Sequence, residues 1–585
     1  MRLIRLSRTV SVALAALLVQ RAFGQNSLSP GHSLARSLGA GETDSLSIPL
    51  NDGDYVWGSV THHGHVNVVI LNPDASRHGG RLLGPAAEGK VAFTFAADVG
   101  QGLYSIVVAN PGAQPLAYEV LIEKVVSLDE RLGREPWSDT LSSPRIQALR
   151  GEIASGQSTD GFWKEMADRG TPLVEPLGSD GKYHLVTFLW RARHDTRNVV
   201  VLGSFLDPVS PENLAMHRLG TSDVWYLTAK LPAGARFTYT LSPNDPMTWD
   251  DPRAGLRSGT HQVDPLNPHR MLPGWRSCGA AASKYVCINV AELPDASPQP
   301  WTISKAGTPR GRVERRSIES KIQRIARPFS VYTPANYKAD GQANSLLILF
   351  DGPAYVSNDS SGWYDPLSMQ TLTTLNELIA AAKIPPTVVV FVNNVGNRRL
   401  VDLFANPDFA DFVSTELVPW VRANYNVTTN PSRAAVGGYS AGGFAAAYVA
   451  FRHPEVFGNV ISQSGSFWWA PDHNGGYCDG ICRDSGYVAE VKIDGMTEPN
   501  WLAKQFLISR KLPVRFDLEA GVFELDRYGK GGDILEPTRA FRDVLLAKGY
   551  DVHYQQFVGG HDGLSWRGSI ADALIYLLGS HDGAK

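Results

Sequence analysis

Along the first third of the chain, hydrophobic and polar residues alternate with a period of two. Tyr55-Val56-Trp57-Gly58-Ser59-Val60, 66–71 and 103–108 follow this pattern, with Gly, Asn and Asp turns between them. Successive side chains of a strand point to opposite faces, so the alternation predicts half-buried strands and a small β domain over 28–125. Residues 126–175 are mixed and polar, which reads as a connector with one helix at 141–153. Alternation returns at 183–191, 199–202, 223–228 and 237–241, predicting a second β-sandwich over 180–300. From 310 to 580 the pattern changes. Apolar runs at 345–350, 387–392, 434–440, 459–465, 514–521 and 552–558 are interleaved with helical segments at 408–425, 442–452, 536–548 and 569–578. Buried strands alternating with helices predict an α/β domain.

Composition refines this picture in three ways. With 585 residues, 43% hydrophobic and 19% charged, the chain has the length and make-up of a multidomain soluble protein. A net charge of -3 supplies no broad basic field, which argues against nucleic acid or an anionic membrane as partner. At the N-terminus, Arg2, Arg5 and Arg8 precede an apolar run over 10–19 and then Ala22-Phe23-Gly24. Basic, apolar and small-residue parts in that order predict a signal peptide over 1–24 and a periplasmic or secreted protein. The run is too short to span a bilayer, and no later segment reads as transmembrane. The four cysteines form two local pairs, Cys278 with Cys287 and Cys478 with Cys482. In an exported protein these predict disulfides; the spacing is not that of a zinc knuckle, so no metal site is expected.

The candidate chemistry sits at Gly438-Tyr439-Ser440-Ala441-Gly442. A short apolar run precedes it and an Ala-rich helical run follows, which is the strand–turn–helix setting of a nucleophile elbow. Ser440 is the candidate nucleophile, and the amide of Ala441 the first candidate oxyanion donor. A serine hydroxyl needs a base, and in this fold the chain order is Ser, acid, His. His561, in Gly559-Gly560-His561-Asp562 just past the last strand, is the candidate base. His553 lies within that strand, and His453 and His473 precede the expected acid. Glu524 is the first choice of acid, in the loop after the strand that ends at Gly521, with Asp526 its close rival and Glu519 and Asp533 further options. The fold class expected is therefore a C-terminal α/β-hydrolase over 310–580 preceded by two β-sandwich domains.

Several phrases carry a family resemblance. Val186-Thr187-Phe188-Leu189-Trp190-Arg191, Thr221 to Thr228 and Leu231 to Tyr239 resemble the N-terminal domain of enterochelin (enterobactin) esterases. Leu349-Phe350-Asp351-Gly352, the elbow, Ser462-Gln463-Ser464-Gly465-Ser466-Phe467-Trp468-Trp469 and Gly559-Gly560-His561-Asp562 with Trp566-Arg567-Gly568 are similar to that family's hydrolase domain. The 28–125 stretch resembles a pre-peptidase C-terminal type of domain by pattern alone, and an accessory role is its default.

The enterochelin esterase resemblance implies Ser440 and His561 as catalytic and Glu524 as the acid. It also implies a second oxyanion donor just after Asp351-Gly352. Pro353 stands there and has no N–H, so Gly352 or Ala354 must donate instead.

The activity implied is hydrolysis of the trilactone esters of a ferric catecholate siderophore, with iron entering as part of the substrate and no cofactor. An anionic, aromatic ligand calls for cations and rings. The candidates are Arg399, Trp468, Trp469 and Arg567, with ordinary packing or surface charge as the alternative for each. Arg310, Arg312, Arg315 and Arg316 read as a solvated linker or edge strand. Two other functions fit parts of the sequence. One is a feruloyl or acetyl carbohydrate esterase; the other is a siderophore-binding protein without turnover, which the intact Ser440, His561 and carboxylates argue against.

Overall fold

The computed structural model describes residues 27–64, 66–75, 81–83, 89–97, 100–127, 141–193, 196–205, 214–245, 261–271, 288–356, 369–396, 398–470, 500–525 and 534–579. The expected signal peptide, all four cysteines, His473, Asp526 and Asp533 lie outside the described residues.

The first β region forms two antiparallel sheets. One has five strands in the order Ser33–Leu38, Leu116–Val126, Tyr55–His62, Gly89–Ala96 and Arg81–Leu83; the other has Thr43–Leu50, Gly102–Ala109 and Asn67–Leu71. Leu46, Ile48, Phe93, Phe95, Tyr104 and Ile106 fill the core between them. The expected helix appears as Pro144–Ala154, capped by Ser143, whose hydroxyl accepts from the amide of Ile146. A second helix, Asp160–Arg169, also lies in the segment read as a connector, and a strand, Leu173–Leu177, begins there.

Two four-stranded sheets follow. His217–Arg218, Val224–Pro232, Tyr183–Arg191 and Leu173–Leu177 make one, and Val199–Gly203, Arg236–Pro243, Ile288–Glu292 and Arg270–Met271 the other. Phe188, Phe205, Phe237 and Tyr239 form their aromatic core, with Phe188 stacked on Phe205 at 5.0 Å between ring centres.

The C-terminal half is built on one eight-stranded sheet, whose strands we number β1 (Arg312–Ser320), β2 (Ile325–Thr333), β3 (Ser345–Leu349), β4 (Thr387–Val392), β5 (Ala434–Tyr439), β6 (Asn459–Gln463), β7 (Arg515–Gly521) and β8 (Val552–Phe557). The order is β1-β2-β4-β3-β5-β6-β7-β8. Strands β1, β2 and β4 pair antiparallel, and every pair from β4 onward is parallel. Strands β3 to β8 coincide with the expected runs. Strands β3, β4, β5 and β6 are buried along their whole length because helices cover both faces. Leu346, Ile348 and Val436 pack toward Ala441–Arg452 and the helical run 407–424, while Leu347 and Leu349 pack toward Gly563–Leu578 and Thr371–Ala380. The basic run enters as β1, an edge strand whose Arg312, Arg315 and Arg316 are exposed.

Candidate active site

The chain leaves β5 through Ser440, whose φ of 55° and ψ of −125° are a conformation that L residues rarely adopt. Backbone bonds to the segment after β6 help hold it there. The Ser440 amide donates to the carbonyl of Gln463 at 2.9 Å, and the Ser466 amide donates to the carbonyl of Ser440 at 3.0 Å. The turn is tight enough that a Cβ on Gly438 would stand 2.6 Å from the carbonyl carbon of Gly442, so the first glycine of the motif is sterically required. Ser440 itself remains partly exposed.

His561 lies in the turn between β8 and the helix Gly563–Leu578. Its Nδ1 is 2.7 Å from Oε1 of Glu524, in the loop after β7. Glu524 is 2% exposed, and its other oxygen accepts from the amide of Gly521 at 2.7 Å. With Nδ1 committed to a carboxylate, Nε2 is the nitrogen that can exchange a proton with a nucleophile. The imidazole rests edge-on against Trp566 at 4.8 Å, and Trp566 stacks on Tyr439, the residue before Ser440, at 4.9 Å. Trp566 is pinned in turn, donating Nε1–H to the hydroxyl of Ser464 at 2.9 Å. Ser440, Glu524 and His561 thus all follow the carboxyl ends of strands of the parallel sheet, where sites in such sheets form.

The other described candidates are engaged elsewhere. Glu519 is buried in β7 and accepts from Ser569, Gln463 and Gln555; burial pushes its carboxyl up to about 8. His553, at the start of β8, pairs with Asp517 at 2.6 Å, and that hydrogen bond raises its pKa. His453 lies between Asp411 and Glu455.

The candidate oxyanion loop follows β3. Asp351 has a left-handed backbone, φ 55° and ψ 43°, and turns the chain into the short helix Gly352–Tyr355. Its carboxylate, 2% exposed, takes Nε and Nη2 of Arg399, both at 2.7 Å, and Nδ2 of Asn394 at 2.6 Å. The Ala354 amide is spent on the carbonyl of Asp351 at 3.0 Å, and Pro353 has none. Among the described residues, none accepts from the amides of Gly352 or Ala441. A side chain on Gly352 would meet the backbone of Phe391 at 2.7 Å, so the loop approaches β4 as closely as glycine permits.

The four expected ligand-binding residues do not converge as a free set. Arg399 grips Asp351 and lies over the ring of Tyr439 at 5.7 Å. Arg567 donates to Gln299 at 2.7 Å and faces Glu292 at 3.4 Å; burial lowers its pKa. Trp469 is stacked on Phe404 at 5.2 Å, and Trp468 meets the same ring edge-on; both remain partly exposed. Gln463, Ser464 and Trp566, which brace the elbow and the imidazole, lie inside the phrases that carried the resemblance, but their roles depend on contacts no phrase displays.

A family model described as putative esterase matches residues 320–577, and one described as enterochelin esterase, N-terminal, matches residues 185–302. The iron(III) enterobactin esterase of Escherichia coli K12 is 27% identical over 459 residues, spanning 76% of this chain and 97% of that protein. The iron(III) salmochelin esterase of Escherichia coli O6:H1 is 27% identical over 447 residues, 74% and 98% of the two chains. The crystal structure of the enterobactin esterase from Shigella flexneri in the presence of enterobactin superposes with a TM-score of 0.52 at 25% identity, covering 72% of this chain and 97% of that one. Two family models in sequence order, relatives matched along nearly their whole length and a shared architecture lead to one assignment: the chain belongs to the enterochelin esterase family.

Proposed function

We propose that this protein is a serine esterase that hydrolyses the trilactone ester bonds of a ferric catecholate siderophore such as enterobactin, and so frees its iron. The observation that carries the chemistry is the His561–Glu524 pair at 2.7 Å, set beyond the same sheet edge as the strained Ser440. The substrate class rests on the relatives, named as iron(III) enterobactin and salmochelin esterases.

In this reading Ser440 Oγ attacks an ester carbonyl while Nε2 of His561 takes its proton. Glu524 holds the imidazole in the right tautomer and stabilises the imidazolium without taking the proton. The amides of Ala441 and Gly352 face the oxyanion. His561 then protonates the leaving alkoxide, and water, activated by the same imidazole, releases the acyl group. Iron is cargo within the substrate and takes no part in these steps.

The strand order and the strained turn support reading 310–580 as an α/β-hydrolase, and the paired antiparallel sheets before it as two β-sandwich domains. The apolar leader supports a periplasmic or secreted location. Trp468 and Trp469, partly exposed just after β6, remain the aromatic candidates for the catechol rings. The test is mass spectrometry of the products from ferric enterobactin and from feruloylated sugars in parallel. Linear and monomeric dihydroxybenzoylserine products from the first support the proposal; turnover of the sugars alone overturns it.

A further inference from the structure

The Gly559-Gly560-His561-Asp562 turn is pressed against the second β-sandwich. Asp562 is buried, and its carboxylate is shared between two bodies. Oδ1 caps the last helix, accepting from the amides of Leu564 at 3.1 Å and Ser565 at 3.4 Å. Oδ2 accepts from the hydroxyl of Ser204 and, at 3.3 Å, from that of Thr238, both residues of the sandwich. Ser204 is itself fixed, because its oxygen accepts from the amide of Thr238 at 3.2 Å. The residue before the two glycines is tied to the same sandwich strand: the Arg236 amide donates to the carbonyl of Val558 at 2.9 Å.

The glycines have a steric reason. A Cβ on Gly560 would stand 1.7 Å from the carbonyl oxygen of Ser204, and one on Gly559 would stand 2.5 Å from Oγ of Ser565 and 3.0 Å from the carbonyl oxygen of Arg236. Val558 on one side of the turn, and Phe523 beside Glu524, pack into the aromatic core of the sandwich. Both halves of the His561–Glu524 pair are therefore seated on the preceding domain.

We infer that the second β-sandwich is part of the catalytic centre, with Ser204 and Thr238 acting as positioning residues that set the His561 imidazole through Asp562. The inference rests on the reading of Ser440 and His561 as the reacting pair. Hydrogen bonds to a buried carboxylate are directional, so those from the helix and from the sandwich together fix the residue next to His561. A displacement of about 1 Å in a catalytic group can cost about 100-fold in rate. Loss of the clamp therefore acts on the chemical step and leaves ground-state binding alone.

The test is steady-state kinetics of the full-length chain on 4-nitrophenyl acetate, a neutral ester too small to need the sandwich for binding. Ser204→Ala is expected to lower kcat about 10- to 100-fold with KM within about twofold of wild type. Ser204→Ala and Asp562→Asn combined should cost less than the product of the two single losses, because both break one contact. Thr238→Val, which removes the longer bond, is the second variant should Ser204→Ala fail to fold, and it should lower kcat several-fold in the same way. Wild-type kcat in folded Ser204→Ala and Thr238→Val, or a raised KM at unchanged kcat, overturns the inference. Ser440→Ala separates the two readings: if it is inactive while the clamp variants are unimpaired, the clamp falls and the esterase reading stands. If Ser440→Ala retains turnover, the esterase reading falls.

Discussion

Arg399 holds Asp351 by two parallel bonds, Nε to Oδ1 and Nη2 to Oδ2, each 2.7 Å long. The guanidinium, one of the sequence's candidates for the substrate, fixes the loop that carries Gly352. Bidentate pairing of this kind supplies geometry as well as energy. Arg399→Ala should then lower kcat on a small neutral ester as much as on the ferric siderophore, by up to about 100-fold, the cost of a misplaced oxyanion donor. It should also destabilise the protein by on the order of 2 kcal/mol, since Asp351 stays buried without its cation. Parallel kinetics on both substrates decide the matter: a loss confined to the siderophore would return Arg399 to the binding surface.

The triad assignment makes a graded prediction. Ser440→Ala should abolish ester turnover with the fold intact. Glu524→Gln should lower kcat by about 10⁴-fold, because the amide no longer stabilises the imidazolium or its tautomer. Asp526→Asn should change kcat little. Near-wild-type activity of Glu524→Gln, measured beside Asp526→Asn, would move the acid elsewhere.

Much of this candidate site was legible in the sequence, for a local reason. The elbow is written in eight consecutive residues, and the strand before it and helix after it are adjacent in sequence. His561 and Glu524 could be found because each follows closely on an apolar run that ends at a turn. Strands β3 to β8 were legible as apolar runs, whereas β1, with its exposed arginines, read ambiguously as linker or edge. Partnerships across the chain left no such trace. Arg399 meets a carboxylate 48 positions away, and Arg567 a glutamine 268 positions away, so both looked like cations awaiting a ligand. The paired glycines before His561 stood out as a phrase, yet the obstacle that requires Gly560 is the carbonyl of Ser204, far earlier in the chain.

Trp566 links Tyr439 at the end of β5 to the His561 imidazole, and its ring and its N–H can be tested separately. Trp566→Phe keeps a ring between Tyr439 and His561 but leaves the buried hydroxyl of Ser464 without its donor. A loss of about 1–3 kcal/mol in stability with kcat close to wild type is expected. Trp566→Ala removes the fully buried ring and should cost about 3–5 kcal/mol, with kcat falling as the imidazole loses its rest. Denaturant unfolding and kcat measured on both variants test this; equal kcat losses in the two would show that the hydrogen bond, not the ring, supports His561.

Glu519 predicts a pH dependence of stability that is separate from catalysis. Burial pushes its carboxyl from the ordinary 4.5 up to about 8, against the pull of Ser569, Gln463 and Gln555 toward the charged form. A raised folded value means that the native state holds this proton more tightly than the unfolded chain does. Its stabilising contribution is full below about 4.5 and is lost as pH rises to about 8. Across that window the slope for one proton is about 1.4 kcal/mol per pH unit. Glu519→Gln copies the neutral form and removes the titration. Its stability should match wild type near pH 4.5 and exceed it at pH 8, the gap widening steadily between. Urea unfolding of the two proteins at several pH values measures that gap directly. A gap that stays constant across the range would mean that Glu519 is ionised in the folded protein throughout, held so by its three donors.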